Sequence, residues 1–133
     1  MAISSYLRRL RQKIGADLVL MPAAAVITFD DRGRVLLVLQ TDTGRWGTPG
    51  GGMAPDESPA DAAVREAWEE TGLLVEPVRI AGVHGGADFY ATYSNGDQIA
   101  VYSVVFECRV TGGQACPDGV ESLDVRYFPP DED

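Results

Sequence analysis

The sequence predicts an α/β domain with a mixed β-sheet and one central helix, preceded by a short N-terminal helix. Three observations predict it. Apolar, β-branched runs recur along the chain with turn residues between them. One segment, Ser58–Thr71, carries a full set of helix start and stop signals. A basic stretch at the beginning repeats its apolar residues at helical spacing. A length of 133 residues suits a single domain, and 45% apolar residues suffice for an ordinary core.

Ile3, Tyr6, Leu7, Leu10 and Ile14 are spaced as one helix face, with Arg8, Arg9, Arg11 and Lys13 between them and Gly15 as a stop. Residues 1–16 are thus expected to form a basic amphipathic helix, and residues 17–133 the main domain. The apolar face of this helix packs on the domain or on a second subunit, or the helix is a membrane-surface or anion-binding segment. Val19–Phe29 and Val35–Leu39, joined by Asp30-Asp31-Arg32-Gly33, predict a hairpin. Gly44–Pro55 is rich in glycine and proline and predicts a loop. In the helix that follows, Ser58 suits the N-cap, Pro59 the first turn and Asp61 the positive end of the dipole, while Gly72 stands at the C-terminal cap. Strands are then predicted at Val78–Val83, Phe89–Tyr93, Gln98–Val110 and Val125–Phe128, with an Asn95-Gly96 turn between the second and third.

The formal net charge is -9, unevenly spread. Four of the eleven basic residues precede Asp17, leaving seven basic against twenty acidic residues in the remainder. Such a body lacks the basic stripe that binds DNA or RNA. It admits an anionic small molecule where metal ions mask the carboxylates. Cys108 and Cys116 have no metal-ligand spacing and read as ordinary thiols. No apolar stretch reaches the roughly 18 residues of a membrane span, and Met1–Gly15 lacks the apolar core of a secretory signal. A cytoplasmic protein without a nucleic-acid or membrane partner is expected.

Glu66, Glu69 and Glu70 share one face of the central helix, within a sector of roughly 100°. One reading is a solvated acidic face. Against it, like charges at this spacing cost about a few tenths of a kcal/mol per pair. They also lie toward the helix C-terminus, where the dipole disfavours negative charge, and Arg65 is the only basic residue in the helix. The other reading is a divalent cation, Mg²⁺ or Mn²⁺, held by these oxygens. Gly50-Gly51-Gly52 lies just ahead, in a backbone able to bring carbonyls to a metal or amides to a phosphate.

From Gly51 the order is glycine, five residues, Glu57, seven residues, Arg65-Glu66-Ala67, one residue, Glu69-Glu70, one residue, Gly72-Leu73. This resembles the Nudix box of the Nudix (MutT-type) hydrolases, over 23 of the 133 residues. The flanking order of strands resembles that family's domain. The resemblance implies an α/β/α sandwich with the box as loop, helix and loop. It implies that Glu66, Glu69 and Glu70 bind Mg²⁺ or Mn²⁺, with the Gly50 carbonyl as a further donor. Arg65 would orient the glutamates, and Glu57 and Gly72 would be structural. The implied reaction is water attack at phosphorus in a nucleoside diphosphate derivative, such as a nucleotide sugar or ADP-ribose. Three positions depart from the pattern: Asp56 replaces a common glycine, Ala67 is small for a usually aliphatic position, and Thr48 replaces a leucine. None removes a ligand.

Glu69 or Glu70 is a candidate base, and in some Nudix relatives a later acidic residue assists. Glu121 is the best match for it here, otherwise a surface-loop carboxylate, with Asp118 and Glu107 behind it. His84, in Val83-His84-Gly85-Gly86, is either a base or a structural residue of a glycine-rich turn. Phe89, Tyr90 and Tyr93 either stack on a nucleobase or belong to the core. Arg45, Trp46 and the glycines Gly51 and Gly52 are candidates for substrate binding. The competing functions are a nucleoside triphosphate pyrophosphohydrolase and a non-catalytic nucleotide sensor. A structural Ca²⁺ site would need a loop of alternating carboxylates that the chain lacks. A homodimer through the N-terminal helix is a further expectation.

Overall fold

In the computed structural model, which describes residues 5–93 and 95–130, the chain begins with helix α1 (Ser5–Ile14). Ile3, expected on its apolar face, lies outside the described residues. Gly15 ends the helix at φ +65°, its amide donating to the Arg11 carbonyl at 2.8 Å. No residue of α1 is buried. Tyr6, Leu7 and Leu10 instead line an apolar groove of about 420 Å³ against β1 (Val19–Thr28). Arg11 ties the helix down by donating to the carbonyls of Asp17 (2.6 Å) and Gln98 (2.8 Å).

The remaining elements are β2 (Val35–Gln40), β3 (Trp46–Gly47), β4 (Gly50–Gly52), α2 (Pro59–Thr71), β5 (Leu73–His84), β6 (Tyr90–Thr92), β7 (Gln98–Gly113) and β8 (Ser122–Phe128). A five-stranded mixed sheet runs β4-β1-β7-β5, with β6 also paired to β7; β1 and β7 are parallel and the other pairs antiparallel. A second, antiparallel sheet runs β3-β2-β8. No described helix is long and apolar enough to cross a membrane.

Several expectations change. The predicted hairpin of Val19–Phe29 with Val35–Leu39 is a turn between sheets: only Phe29 and Val35 form a bridge, and β1 and β2 then diverge. Asp30 sets the turn by accepting from the amides of Arg32 and Arg34. The predicted loop Gly44–Pro55 contains β3 and β4, because tertiary partners supply ladder bonds that glycine's poor strand propensity does not forecast. β5 starts at Leu73, directly after the helix cap, rather than at Val78. β7 runs on to Gly113, and β8 starts at Ser122 rather than Val125. Phe89 ends a 3₁₀ turn (Ala87–Phe89) instead of opening a strand. The Asn95-Gly96 turn joins β6 to β7 as expected, with Tyr93 N donating to Asp97 O at 2.9 Å.

Helix α2 is made as its sequence signals it. Ser58 Oγ accepts from Asp61 N at 3.1 Å, a cap contributing about 1 kcal/mol. Gly72 closes the helix at φ +73°, its amide donating to Trp68 O. The buried stripe is Ala62, Ala63, Glu66, Ala67, Glu70 and Thr71. Its alanines pack on Ala24 and Val26 of β1, Val75 of β5, and Phe106 and Cys108 of β7. Ala67 is fully buried there, so the small residue lets helix and sheet approach closely. The same packing drags Glu66 and Glu70 out of water.

Candidate active site

Two carboxylates are buried beside a glycine strand. Glu66 is 1% and Glu70 4% exposed, on the stripe of α2 that faces β4 and the sheet. Gly50 N donates to Glu70 Oε2 at 3.0 Å. At Gly51 a Cβ would lie 2.5 Å from the Glu66 carboxyl carbon, so any side chain there displaces the Glu66 carboxylate. At Gly50 a Cβ would meet the Ala24 carbonyl oxygen at 2.5 Å. Gly52 has no such crowding; its carbonyl accepts from Arg65 at 3.0 Å.

Arg65 is the hub of this arrangement. Its guanidinium donates to both oxygens of Glu57 (2.6 and 3.0 Å), to Glu66 Oε1 (2.8 Å) and to Glu69 Oε2 (3.3 Å). Glu57 Oε1 also accepts from Ala54 N at 2.8 Å, which ties the loop to the helix. Hydrogen bonding to Arg65 holds the Glu57 carboxyl below its ordinary value, against burial. The same partners push Arg65 further up.

One arginine does not satisfy the buried pair. Burial raises the Glu66 carboxyl despite Arg65. Burial, then the hydrogen bond and charge of Glu66, push Glu70 up to about 9, and the charge of Glu121 adds to the push. Glu66 Oε2 is buried and has no hydrogen-bond partner. A carboxylate oxygen in that position fits a hard divalent cation, which would let both groups ionise. The residues present therefore fit a metal.

The structure does not bring all the expected ligands together. Glu69, about 60° around the helix from Glu66, falls just beyond the buried stripe, and its side chain is 41% exposed beside Arg65. Among the described residues no three carboxylates converge on one point. Glu70, Gly50 and Glu121 do meet, in a cleft of about 230 Å³ walled also by Gln40, Asp42, Thr43, Ala91, Tyr93, Ile99 and Val101.

Other candidates lie elsewhere. Arg45 is exposed, and Trp46 packs edge-on against Phe128 at 4.9 Å with Arg126 over its ring; neither lines the cleft. His84 stacks on Phe89 at 5.9 Å, outside the cleft lining. Glu107 pairs with Arg79 across β7 and β5. Phe89, Tyr90 and Tyr93 are all exposed rather than core, and of the three Tyr93 lines the cleft. Sequence reasoning missed Gln40, Asp42, Thr43, Ile99 and Val101. The polar run Gln40–Thr43 after an apolar strand was the one available signal. Asp56 is exposed, so the extra charge there stays in water.

Residues 19–132, from β1 past β8, match the sequence model of the NUDIX domain. The chain belongs to the Nudix family. This Nudix hydrolase is 32% identical over 127 residues to a MutT-like protein of Streptomyces ambofaciens, covering 96% of this chain and 75% of that one. It is 34% identical over 107 residues to a putative 8-oxo-dGTP diphosphatase of Bacillus subtilis (strain 168), covering 80% of this chain and 65% of that relative. An ADP-ribose pyrophosphatase of Streptococcus suis 89-1591 superposes with a TM-score of 0.66 at 29% identity, covering 84% of this chain and 75% of the other. The Nudix hydrolase carries α1 ahead of the matched segment.

Proposed function

We propose that this Nudix hydrolase uses Mg²⁺ or Mn²⁺ to cleave the diphosphate linkage of a nucleoside diphosphate derivative, of the nucleotide-sugar or ADP-ribose type. The observation that carries the reading is the buried Glu66–Glu70 pair: Glu66 keeps an unpartnered oxygen, and Glu70 lines an open cleft. Glu66, Glu70 and the Gly50 carbonyl are the proposed metal donors. Glu69, held by a 3.3 Å contact to Arg65, joins them through a change of rotamer. A divalent cation bound there supplies charge neutralisation for phosphate oxygens and acidifies water.

The chain's own groups do the rest. Water attacks phosphorus, a carboxylate takes its proton, and the bridging P–O bond breaks with the electron pair leaving on the departing phosphate oxygen. Three carboxylates border the cleft, Asp42, Glu70 and Glu121, and of these Glu70 and Glu121 are the proposed proton acceptors. Arg65 holds the loop and helix so that the glutamates keep their aim. Tyr93, Ile99 and Val101 offer an apolar surface to a base or sugar. The two unpaired cysteines suit a reducing cytoplasm.

A triphosphate reading has one specific support, the 34% identity to a putative 8-oxo-dGTP diphosphatase. One experiment separates the readings. Release of nucleotide products is followed by anion-exchange chromatography with Mg²⁺ and Mn²⁺ over nucleotide sugars, ADP-ribose, dinucleoside polyphosphates and nucleoside triphosphates, with Glu70→Gln as control. Turnover of a diphosphate derivative, lost in the variant, supports the proposal. Turnover of triphosphates alone transfers it to the second reading. Tight nucleotide binding without turnover makes the protein a sensor.

A further inference from the structure

The turn before β8 is organised around one carboxylate. Asp118 Oδ1 accepts from the amides of Val120, Glu121 and Ser122, each at 2.9 Å, and lies 3.3 Å from Ser122 Oγ. Burial raises the Asp118 carboxyl, but the amides of Ser122, Val120 and Glu121 outweigh it and hold the group below its ordinary value.

Two anchors fix this turn against the rest of the site. The fully buried Ser122 donates from its hydroxyl to the Glu70 carbonyl at 2.7 Å, joining the turn to the end of α2. From the other side, Thr41 N donates to Glu121 O at 3.1 Å, and Thr41 Oγ1 donates to Val120 O at 2.9 Å. The register of β2 and β8 shifts here: Leu39 pairs Asp124 while Gln40 pairs Ser122, leaving Leu123 as the extra, exposed residue. Such bulges re-aim side chains beside active sites. Glu121, just before this bulge, lines the cleft with Glu70, and its charge adds to the upward push on the Glu70 carboxyl.

We propose that Asp118 is a positioning residue for the hydrolysis: its carboxylate gathers the amides of residues 120–122 and thereby holds Glu121 at the Glu70 side of the cleft. The proposal rests on the hydrolase reading above, with Glu121 as a working carboxylate. Asp118 itself does not line the cleft. It acts by denying the turn the backbone freedom that would let Glu121 swing into solvent.

A double-mutant cycle reads this directly. Asp118→Ala lowers kcat about 10²-fold, as far as Glu121→Gln does, in the range general-base losses occupy. The double variant is no slower than Glu121→Gln alone, and Asp118→Asn, which keeps an acceptor oxygen, recovers part of the loss. If Asp118→Ala slows the Glu121→Gln protein by the same factor as the wild type, the role is merely structural and the proposal fails. If Asp118→Ala does not fold, the same cycle with Asp118→Asn replaces it, with the same two outcomes.

A second measurement is independent of turnover. With Mn²⁺ as probe, paramagnetic broadening marks the Gly50 and Glu121 amides in the wild type. In the Asp118 variant the Gly50 broadening stays and the Glu121 broadening weakens. Unchanged broadening at Glu121 in the variant overturns the positioning role. A wild type that hydrolyses nothing while showing this pattern overturns the hydrolase reading and leaves Asp118 as the organiser of the turn.

Discussion

Arg65 grips Glu57 through two parallel bonds, Nε to Oε2 at 3.0 Å and Nη2 to Oε1 at 2.6 Å, and so locks the loop before α2 to the helix itself. An arginine fork matches a carboxylate in a way that the lysine ammonium does not. Arg65→Lys should therefore cost about 1–3 kcal/mol, since Glu66 and Glu57 lose partners in a half-buried site. Thermal unfolding checks it, and a melting temperature within a degree of wild type would refute the hub. The Glu57 carboxyl is lowered from 4.5 by Arg65. Its stabilising contribution is present above that value and disappears as pH falls through the folded pKa. Acid titration of wild type against Glu57→Gln should show a steeper loss of stability in the wild type.

Gly51→Ala and Gly52→Ala should behave differently although the residues are neighbours. A Cβ at Gly51 enters the Glu66 carboxylate at 2.5 Å, while at Gly52 its nearest neighbour is Met21 Sδ at 3.6 Å. The first variant is expected to lose activity and Mn²⁺ affinity by an order of magnitude or more, roughly the scale of displacing a ligand's support. The second should stay near wild type in both. Calorimetric titration with Mn²⁺ and the hydrolysis assay separate them.

The Glu70 carboxyl, raised from 4.5 to about 9, links metal, pH and stability. Between those values the folded metal-free protein holds a proton that the unfolded chain has released. Stability of the metal-free protein should thus fall as pH rises through this window, up to the folded pKa near 9. Mg²⁺ should restore it, more at pH 8.5 than at pH 6, with protons released on binding. Melting curves at several pH values, with EDTA or Mg²⁺, test this. EDTA should abolish activity while the far-ultraviolet circular dichroism stays that of a folded protein. Complete unfolding by EDTA would instead mark a structural metal.

Gly72→Ala should destabilise without touching the proposed metal donors. The residue sits at φ +73°, and an added Cβ would meet the Gln114 carbonyl oxygen at 2.6 Å. A left-handed conformation on a non-glycine residue costs roughly 1–3 kcal/mol. Urea unfolding should show a lower midpoint, and an unchanged midpoint would mean the cap relaxes freely.

Helix α2 was legible because its signals are local: Ser58, Pro59 and Gly72 each act within a turn of where they stand. The spacing of Glu66, Glu69 and Glu70 likewise follows from helical geometry. The divergence of β1 and β2 into separate sheets was not legible. A turn sequence sets how two strands are connected, whereas the sheet each joins depends on β7 and β8, some 80 residues away. The placement of Glu69 beside Arg65, and of Trp46 on Phe128, depends on the same distant packing.

Local chemistry alone thus specified the central helix, its caps, its carboxylates, the glycine run and, through their joint spacing, the family. Such features depend on neighbours three or four residues apart, and chain order records them. Tertiary packing decided which carboxylates are buried, which glycines lie against other segments and which residues wall the cleft. Burial and close approach arise where segments far apart in the chain meet: Gly51 against Glu66, Ser122 against Glu70, Glu121 against the cleft. Desolvation, which raises the carboxyls of two ordinary glutamates, exists only once those segments have closed around them.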